Sequence, residues 1–319
     1  MSSFWNNRPV LVTGGHGFLG RVVVHLLESV GAVVAAPTRQ AYDLTMPGVS
    51  EKMLAHYSPT HVIHLAARVG GIGYNQIAPA PLYLDNLLMG THVIEAARTF
   101  GVEKTVLLGT VCSYPKFAAV PFAETSLWDG YPEETNAPYG IAKKAHLIHA
   151  QVNAQQYGQK FAYLIPTNLY GPGDKFHPSV SHVIPALIKK CIDAQESGTE
   201  TINVWGTGTA SREYLYVVDA AAAIILAAEL YDGTDPLNLG TDNEVTIRQT
   251  VEKISEITGF KGKVIWDSSK PDGQPRRRID PSQAHSNLGW RATMNFEQGL
   301  RNTVDWYLAN RHIAEAEPR

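Results

Sequence analysis

Three glycines at intervals of three residues, Gly14, Gly17 and Gly20, fall between the run Val10-Leu11-Val12 and an amphipathic stretch that ends at Gly31. No other feature restricts the fold as much. The β-branched run suits a buried strand. Phe18, Val22, Val23, Leu26 and Leu27 then share one side at 3.6 residues per turn, and Gly31 stands where a helix C-cap glycine belongs. The glycines therefore lie in a strand-to-helix turn. There the missing Cβ atoms let backbone N–H groups and the helix N-terminus close on a diphosphate. The spacing G-x-x-G-x-x-G departs by one residue from the usual dinucleotide fingerprint G-x-G-x-x-G. Taken alone, the triplet equally suits a glycine-rich turn with no ligand; the strand before it and the helix after it favour a nucleotide.

A chain of 319 residues, 44% hydrophobic, has room for one nucleotide-binding lobe and one smaller lobe. Its net charge of -3, with signs interspersed, offers no basic field for nucleic acid and points to small-molecule partners. Only Cys112 and Cys191 are present, which excludes a disulfide framework and suits a reducing compartment. Met1 to Pro9 is polar and lacks a signal core, and the longest apolar stretch, Ala220 to Ala228, is too short to cross a bilayer. A cytoplasmic location, with no membrane partner and no metal site, is expected.

Strands and helices then alternate, which predicts an α/β fold with a Rossmann-type doubly wound parallel sheet. Ala32 to Ala36 reads as the second strand. Its end, Ala36-Pro37-Thr38-Arg39, has no carboxylate for the ribose 2′-hydroxyl of NAD, which favours NADP with its 2′-phosphate on Arg39. A solvated loop arginine is the rival reading of Arg39. Asp43 and Leu44 follow, beside the expected adenine. His61 to Leu65 is a third strand, ending in Ala66-Ala67, whose small side chains let a cofactor lie close. A glycine-rich loop, Arg68 to Tyr74, leads to a helix over Pro81 to Phe100. The fourth strand, Lys104 to Leu108, delivers Gly109, Thr110, Val111 and Cys112 to the sheet's carboxyl edge, where ligands bind.

The next helix, about Pro138 to Tyr157, opens with Tyr139-Gly140-Ile141-Ala142-Lys143. Tyr139 and Lys143 are four apart and share a helix face. A nearby ammonium favours the phenolate and lowers the phenol's pKa, equipping Tyr139 to move a proton at a carbonyl. The Thr110 hydroxyl can bond the same oxygen. A surface tyrosine beside a solvated lysine remains the alternative for the pair alone. Lys160 to Pro166 is a further strand, after which Gly171-Pro172-Gly173 takes the chain toward the second lobe. Beyond it, Ser181 to Ala194, Val218 to Tyr231, Ile247 to Thr258 and Phe296 to Arg311 read as helices. Thr201 to Trp205, Glu213 to Val217 and Lys263 to Asp267 read as strands.

These residues, with further landmarks, carry a family resemblance. The landmarks are Val69-Gly70-Gly71-Ile72, Cys112-Ser113-Tyr114-Pro115-Lys116, Pro166 to Gly171 as P-T-N-L-Y-G, Phe176-His177-Pro178, Ser181 to Leu187 as S-H-V-I-P-A-L, Val204-Trp205-Gly206 and Ser269 to Gly273 as S-K-P-D-G. They span nearly the whole chain. The sequence resembles the extended short-chain dehydrogenase/reductases, and among them the GDP-L-fucose synthase family, NADPH-dependent 3,5-epimerase/4-reductases of GDP-4-keto-6-deoxy-mannose.

The resemblance implies that residues 1–170, with a returning segment near 206–240, bind NADP(H), and that 171–205 and 241–319 form a smaller α+β lobe for a GDP-linked keto-deoxy sugar. Tyr139 would then protonate the reduced carbonyl oxygen, with Lys143 as electrostatic partner and Thr110 beside them. Cys112 and His182 would exchange protons at C3 and C5, which the 4-keto group acidifies. The implied cofactor contacts are Gly14, Gly17, Phe18, Leu19, Arg39, Asp43, Leu44, Ala66, Lys143, Pro166, Asn168, Leu169 and His182. Val183, Leu187, Lys190, Trp205, Arg212 and Asp272 would meet the substrate. Bland alternatives stand beside these roles: a buried apolar cysteine, a hydrogen-bonded core histidine, and plain packing for Val183, Leu187 and Trp205.

Three positions depart from the family pattern. Ser-Ser-Cys becomes Thr110-Val111-Cys112, losing a hydroxyl that would touch substrate. His16 stands where some members place an arginine toward the 2′-phosphate, and Ser113 where isoleucine is common. The alternatives to GDP-L-fucose synthesis are epimerisation or reduction of another GDP-keto sugar, such as a heptose, or an NADP-sensing role without turnover. The resemblance also implies a homodimer through a four-helix bundle, for which Leu87, Ile94, Leu147 and Ile148 offer apolar surface.

Overall fold

The first strand, β1 (Pro9–Thr13), runs through the glycine turn into α1 (Phe18–Ser29) and back to β2 (Val33–Ala35). The computed structural model describes residues 3–178, 180–270 and 273–316, so Asp272 lies outside the described residues. The alternation continues with α2 (Val49–Tyr57), β3 (His61–His64), α3 (Ile72–Ile77), α4 (Pro79–Thr99), β4 (Lys104–Leu108), α5 (Ala137–Tyr157) and β5 (Phe161–Pro166). Next come β6 (Asn168–Tyr170), α6 (Val183–Ser197), β7 (Thr201–Trp205), β8 (Ser211–Tyr216), α7 (Val217–Leu230) and β9 (Leu237–Leu239). The chain closes with β10 (Glu244–Thr246), α8 (Ile247–Thr258), β11 (Lys263–Asp267), β12 (Arg276–Arg277), α9 (Ser282–Leu288), α10 (Phe296–Ala309) and α11 (Arg311–Ala314).

The large sheet has the order β2-β1-β3-β4-β5-β9, with every neighbouring pair parallel. After β2 the chain crosses to the other side of β1, which makes the β1/β3 boundary a topological switch point and the crevice beyond it a ligand site. Both faces are covered, so the strands are apolar nearly throughout. Val10 and Val12 face α1 and α7, while Leu11 packs with Met53, Leu54 and Val93 on the opposite side. On β5, Ala162 and Leu164 join the first face, and Phe161, Tyr163 and Ile165 join a third apolar cluster with Leu147 of α5.

The glycine turn is required by its own packing before any ligand is considered. Gly14 has φ +70°, and a Cβ there would stand 2.7 Å from the Ala66 nitrogen. A Cβ on Gly20 would stand 2.1 Å from the Gly14 oxygen, so α1 starts as close to β1 as backbone allows.

The smaller lobe is mixed. β8 pairs with β10 antiparallel and with β6 and β12 parallel, and β7 pairs with β11 parallel. Ile184 and Ile188 of α6, Val251 and Ile254 of α8, and Leu300 and Val304 of α10 form its core. Thr246 and Gln249 form a capping box at the start of α8. Within the stretch 241–319, Ala284, Leu288 and Trp290 pack into the core of the large sheet.

The apolar surface expected for a dimer needs correction. Ile94 and Leu147 are fully enclosed within this chain, filling the space between their helices and the sheet. Ile148 is exposed, and so are Leu84 and Val152 on the same two helices. Among the described residues, no helix is long and apolar enough to cross a membrane.

Candidate active site

β4 ends at Leu108, and the chain then makes one turn of 3-10 helix, Val111–Ser113. Thr110 Oγ1 caps it by accepting the Cys112 N–H at 3.2 Å, which leaves the hydroxyl proton to donate elsewhere. Val111 is buried with Leu107 and Tyr114. Ser113 is also buried and donates to the Gly140 oxygen at 2.9 Å. A Cβ on Gly140 would stand 2.5 Å from the Cys112 oxygen. The glycine inside Tyr-Gly-Ile-Ala-Lys is therefore what lets α5 close on this turn, bringing Tyr139 and Lys143 beside Cys112.

The electrostatics differ from expectation. Lys143 is 2% exposed, its Nζ lies 5.8 Å from the centre of the Tyr139 ring, and burial holds its pKa down to about 8. Tyr139 is shifted upward, first by burial and then by the negative charge of Cys112. The phenolate favoured by an ammonium is thus not what this site stabilises, because desolvation of the anion outweighs the attraction of its neighbour. Tyr139 carries its proton at neutral pH.

Cys112 Sγ donates to Asn136 Oδ1 at 3.6 Å, and Asn75 Nδ2 donates to the same oxygen at 3.2 Å. Asn75 sits on α3, whose N-cap Gly71 has room for no side chain: a Cβ there would stand 2.8 Å from the Ser181 oxygen. Ser181 precedes His182, the solvent-exposed N-cap of α6. A chain of contacts thus links the His182 segment to Cys112 across the crevice.

At the switch point, the N-terminus of α1 has no side-chain cap. A Cβ on Gly17 would meet the Gly14 oxygen at 3.1 Å and nothing else within 4 Å, so the turn opens outward in front of Phe18 and Leu19. Uncapped N–H groups behind an open glycine fit a diphosphate, and the expected dinucleotide suits the residues present. Ala66 closes the other wall, its N–H donating to Thr13 Oγ1 at 3.3 Å. His16 Nε2 bonds the Ala36 oxygen at 2.8 Å, joining the turn to the end of β2. Arg39 is exposed and paired with Asp43 at 3.2 Å. The Leu44 side chain is buried against the sheet with Leu11 and Met53. Pro166 is buried at the end of β5, Asn168 and Leu169 are half-buried on β6, and Asn168 Nδ2 donates to the Glu213 oxygen at 3.0 Å.

Of the substrate set, Arg212 is buried, with Nη1 donating to the Ser211 and Gln274 oxygens at 2.7 Å each. Val183, Lys190 and Trp205 are exposed on α6 and β7, with Lys190 Nζ tied to the Asn203 oxygen at 2.7 Å. Leu187 is 4% exposed and packs within the small-lobe core. Two residues at the site were not anticipated, Asn136 and Arg277, whose Nη1 donates to Cys112 Sγ at 3.7 Å. The period of two along a strand is the signal that could have found Arg277. In Arg276-Arg277-Arg278, the outer two pair with Glu244 and Asp242 near the surface, and the middle one is buried on the opposite side.

Comparison with known proteins gives concordant results. Residues 10–240 match the model of the NAD dependent epimerase/dehydratase family. The chain is 41% identical to GDP-L-fucose synthase 1 of Arabidopsis thaliana over 302 residues, 94% of this chain and 93% of that protein. It is similar to the solved structure of a GDP-L-fucose synthetase from Naegleria fowleri bound to NADP, with a TM-score of 0.88, 30% identity, and coverage of 98% of this chain and 97% of that one. A GDP-6-OMe-4-keto-L-xylo-heptose reductase from C. jejuni gives a TM-score of 0.90 at 26% identity, covering 97% of this chain and 99% of that one.

The buried Lys143 makes a stability prediction. Its pKa of about 8 in the folded protein, against 10.5 for the free side chain, means that its charge opposes folding by about 3 kcal/mol at pH 7. That cost is full below pH 8, declines as pH rises and is gone above 10.5. Lys143→Met should therefore be more stable than the wild type at pH 7, with the advantage vanishing by pH 10.5. Urea denaturation at both pH values checks this; a variant less stable at pH 7, or a difference independent of pH, would contradict it.

Proposed function

This chain belongs to the NAD dependent epimerase/dehydratase family, on its GDP-L-fucose synthase branch, and from that premise we propose that it converts GDP-4-keto-6-deoxy-D-mannose to GDP-L-fucose with NADPH. The observation that carries the reading is the placement of a thiol, Cys112, and a proton-bearing phenol, Tyr139, side by side at the carboxyl edge of the sheet. One handles C–H protons and the other a carbonyl oxygen. A plain reductase has no use for the thiol.

In this reading NADPH is held by the α1 N-terminus, the Gly17 opening and Arg39, and when bound it supplies the hydride. Cys112 Sγ removes a proton from carbon next to the keto group, and the C–H electron pair moves into the enolate. His182 returns a proton from the other side, which inverts the centre. Tyr139 O–H then protonates O4 as the carbonyl is reduced, with the Thr110 hydroxyl donating to the same oxygen. Burial suits Tyr139 to this task, because a phenol held neutral has a proton to give.

Incubation of the purified protein with the keto sugar and NADPH, with NMR of the product, tests the reading. GDP-L-fucose is expected; a product reduced but not epimerised, or no turnover, would overturn it. NADPH should be preferred over NADH, and Arg39→Ala should cut the ratio of their kcat/KM values by about 10- to 100-fold, the worth of a charge-assisted hydrogen bond. An unchanged ratio would remove Arg39 from the 2′-phosphate site.

We also infer that two copies pair through α4 and α5, with Leu84, Ile148 and Val152 exposed on these helices as the contact. Sedimentation at micromolar concentration should give a two-chain species, and a single-chain species would exclude the pairing.

A further inference from the structure

The Cys112 sulfur has two polar neighbours of opposite character. Asn136 Oδ1, at 3.6 Å, can only accept from it, and Arg277 Nη1, at 3.7 Å, can only donate to it. The first contact serves a thiol and the second a thiolate. Asn136 itself is held from two sides, by Asn75 Nδ2 and by the Glu133 carboxylate, which accepts its N–H and Nδ2.

Arg277 is placed with equal care. It lies on β12 in register with Arg212 of β8, is 8% exposed, and its Nε donates to Gln274 Oε1 at 3.3 Å. Gln274 is fixed in turn, Nε2 donating to the Lys116 oxygen at 3.1 Å and its main-chain oxygen accepting Arg212 Nη1 at 2.7 Å. Both neighbouring arginines have carboxylate partners. Among the described residues, no carboxylate lies within ion-pair distance of Arg277. A buried guanidinium without a carboxylate needs another anion, since an uncompensated buried charge costs several kcal/mol. The sulfur in contact with it can be that anion.

We propose that Arg277 is a positioning residue that holds the Cys112 sulfur as a thiolate, ready to take a proton from substrate carbon. This rests on the epimerase reading of Cys112. The step balances: the C–H bond breaks, an S–H bond forms, the electron pair passes to the enolate, and the thiolate returns when the proton leaves for carbon or solvent. Once protonated, the sulfur turns its hydrogen to Asn136, so the same two contacts accommodate both states. Tyr139 of α5 also feels the charge of Cys112, and Glu133 lies one residue further, through Asn136.

The test requires neither sugar nor cofactor, so its failure is distinct from failure of the fucose synthase reading, which product NMR reports. The rate of Cys112 alkylation by iodoacetamide is followed by peptide mass spectrometry at pH 7 and at pH 10.5 in the wild type, Arg277→Met and Arg277→Lys. Cys191 is fully buried and serves as the internal control. The thiolate is the reacting species. Arg277→Met should slow alkylation by about tenfold or more at pH 7 and change it little at pH 10.5, and Arg277→Lys should recover much of the loss. An unchanged rate at pH 7, or an equal change at both pH values, would overturn the proposal. Should Arg277→Met fail to fold, Arg277→Gln, whose amide can keep a bond to Gln274, is expected to give the same pH-dependent loss.

Discussion

The carboxylate of Glu213 fastens the two lobes together. It is wholly buried on β8, where Oε1 accepts the N–H groups of Thr241 and Asp242 just beyond β9, and Oε2 accepts the N–H of Ile279 just beyond β12 at 3.0 Å. Its main-chain oxygen takes Thr167 Oγ1 and Asn168 Nδ2, each at 3.0 Å, from the crossing between β5 and β6. Burial raises the pKa of this carboxyl, and the N–H bonds from Ile279, Thr241 and Asp242 oppose that shift. One side chain thus fixes where the large sheet ends against the mixed sheet. Arg212 and Arg277 lie opposite each other on strands that this knot holds in register.

At that edge the decisive magnitude is desolvation. At about 6 Å an ammonium and a phenolate attract by about 3 kcal/mol in a medium of effective dielectric 20. Burying each ion costs several kcal/mol. Burial wins, so Lys143 is easily discharged and Tyr139 keeps its proton. The sulfur of Cys112, by contrast, has the Arg277 guanidinium against it, with Nη1 at 3.7 Å. Surroundings that push two neighbouring groups toward opposite protonation preferences suit the opposite tasks proposed for them, carbon-acid chemistry and carbonyl reduction.

Much of this was legible in the sequence, because strands buried on both faces and helices with one apolar stripe announce themselves by period. Lys104–Leu108, Thr201–Trp205, Ile247–Thr258 and Lys263–Asp267 fall on the boundaries expected of them. β9 and β12 were not legible: three and two residues are too few to show a period, and they exist because β5 and β8 offer open edges. The glycines, Tyr139 and Lys143 could be read by spacing along one element. The burial of Leu187 and Val111 was not legible, because a motif assigns a position without saying which way its side chain turns. Arg277 was missed because its partner, Cys112, lies 165 residues away and only the fold brings them together.

The division of labour proposed for Cys112 and Tyr139 requires separable losses. The direct measurement is solvent deuterium uptake at C3 and C5 of GDP-4-keto-6-deoxy-D-mannose, followed by NMR with NADPH left out, then NADPH oxidation, in Tyr139→Phe and Cys112→Ser. Tyr139→Phe should exchange at nearly the wild-type rate while its hydride transfer falls roughly 10²- to 10⁴-fold. Cys112→Ser should lose exchange and keep the ability to reduce a keto sugar. Undiminished exchange in Cys112→Ser, or exchange and reduction lost together in Tyr139→Phe, would contradict the division of labour between the thiol and the phenol.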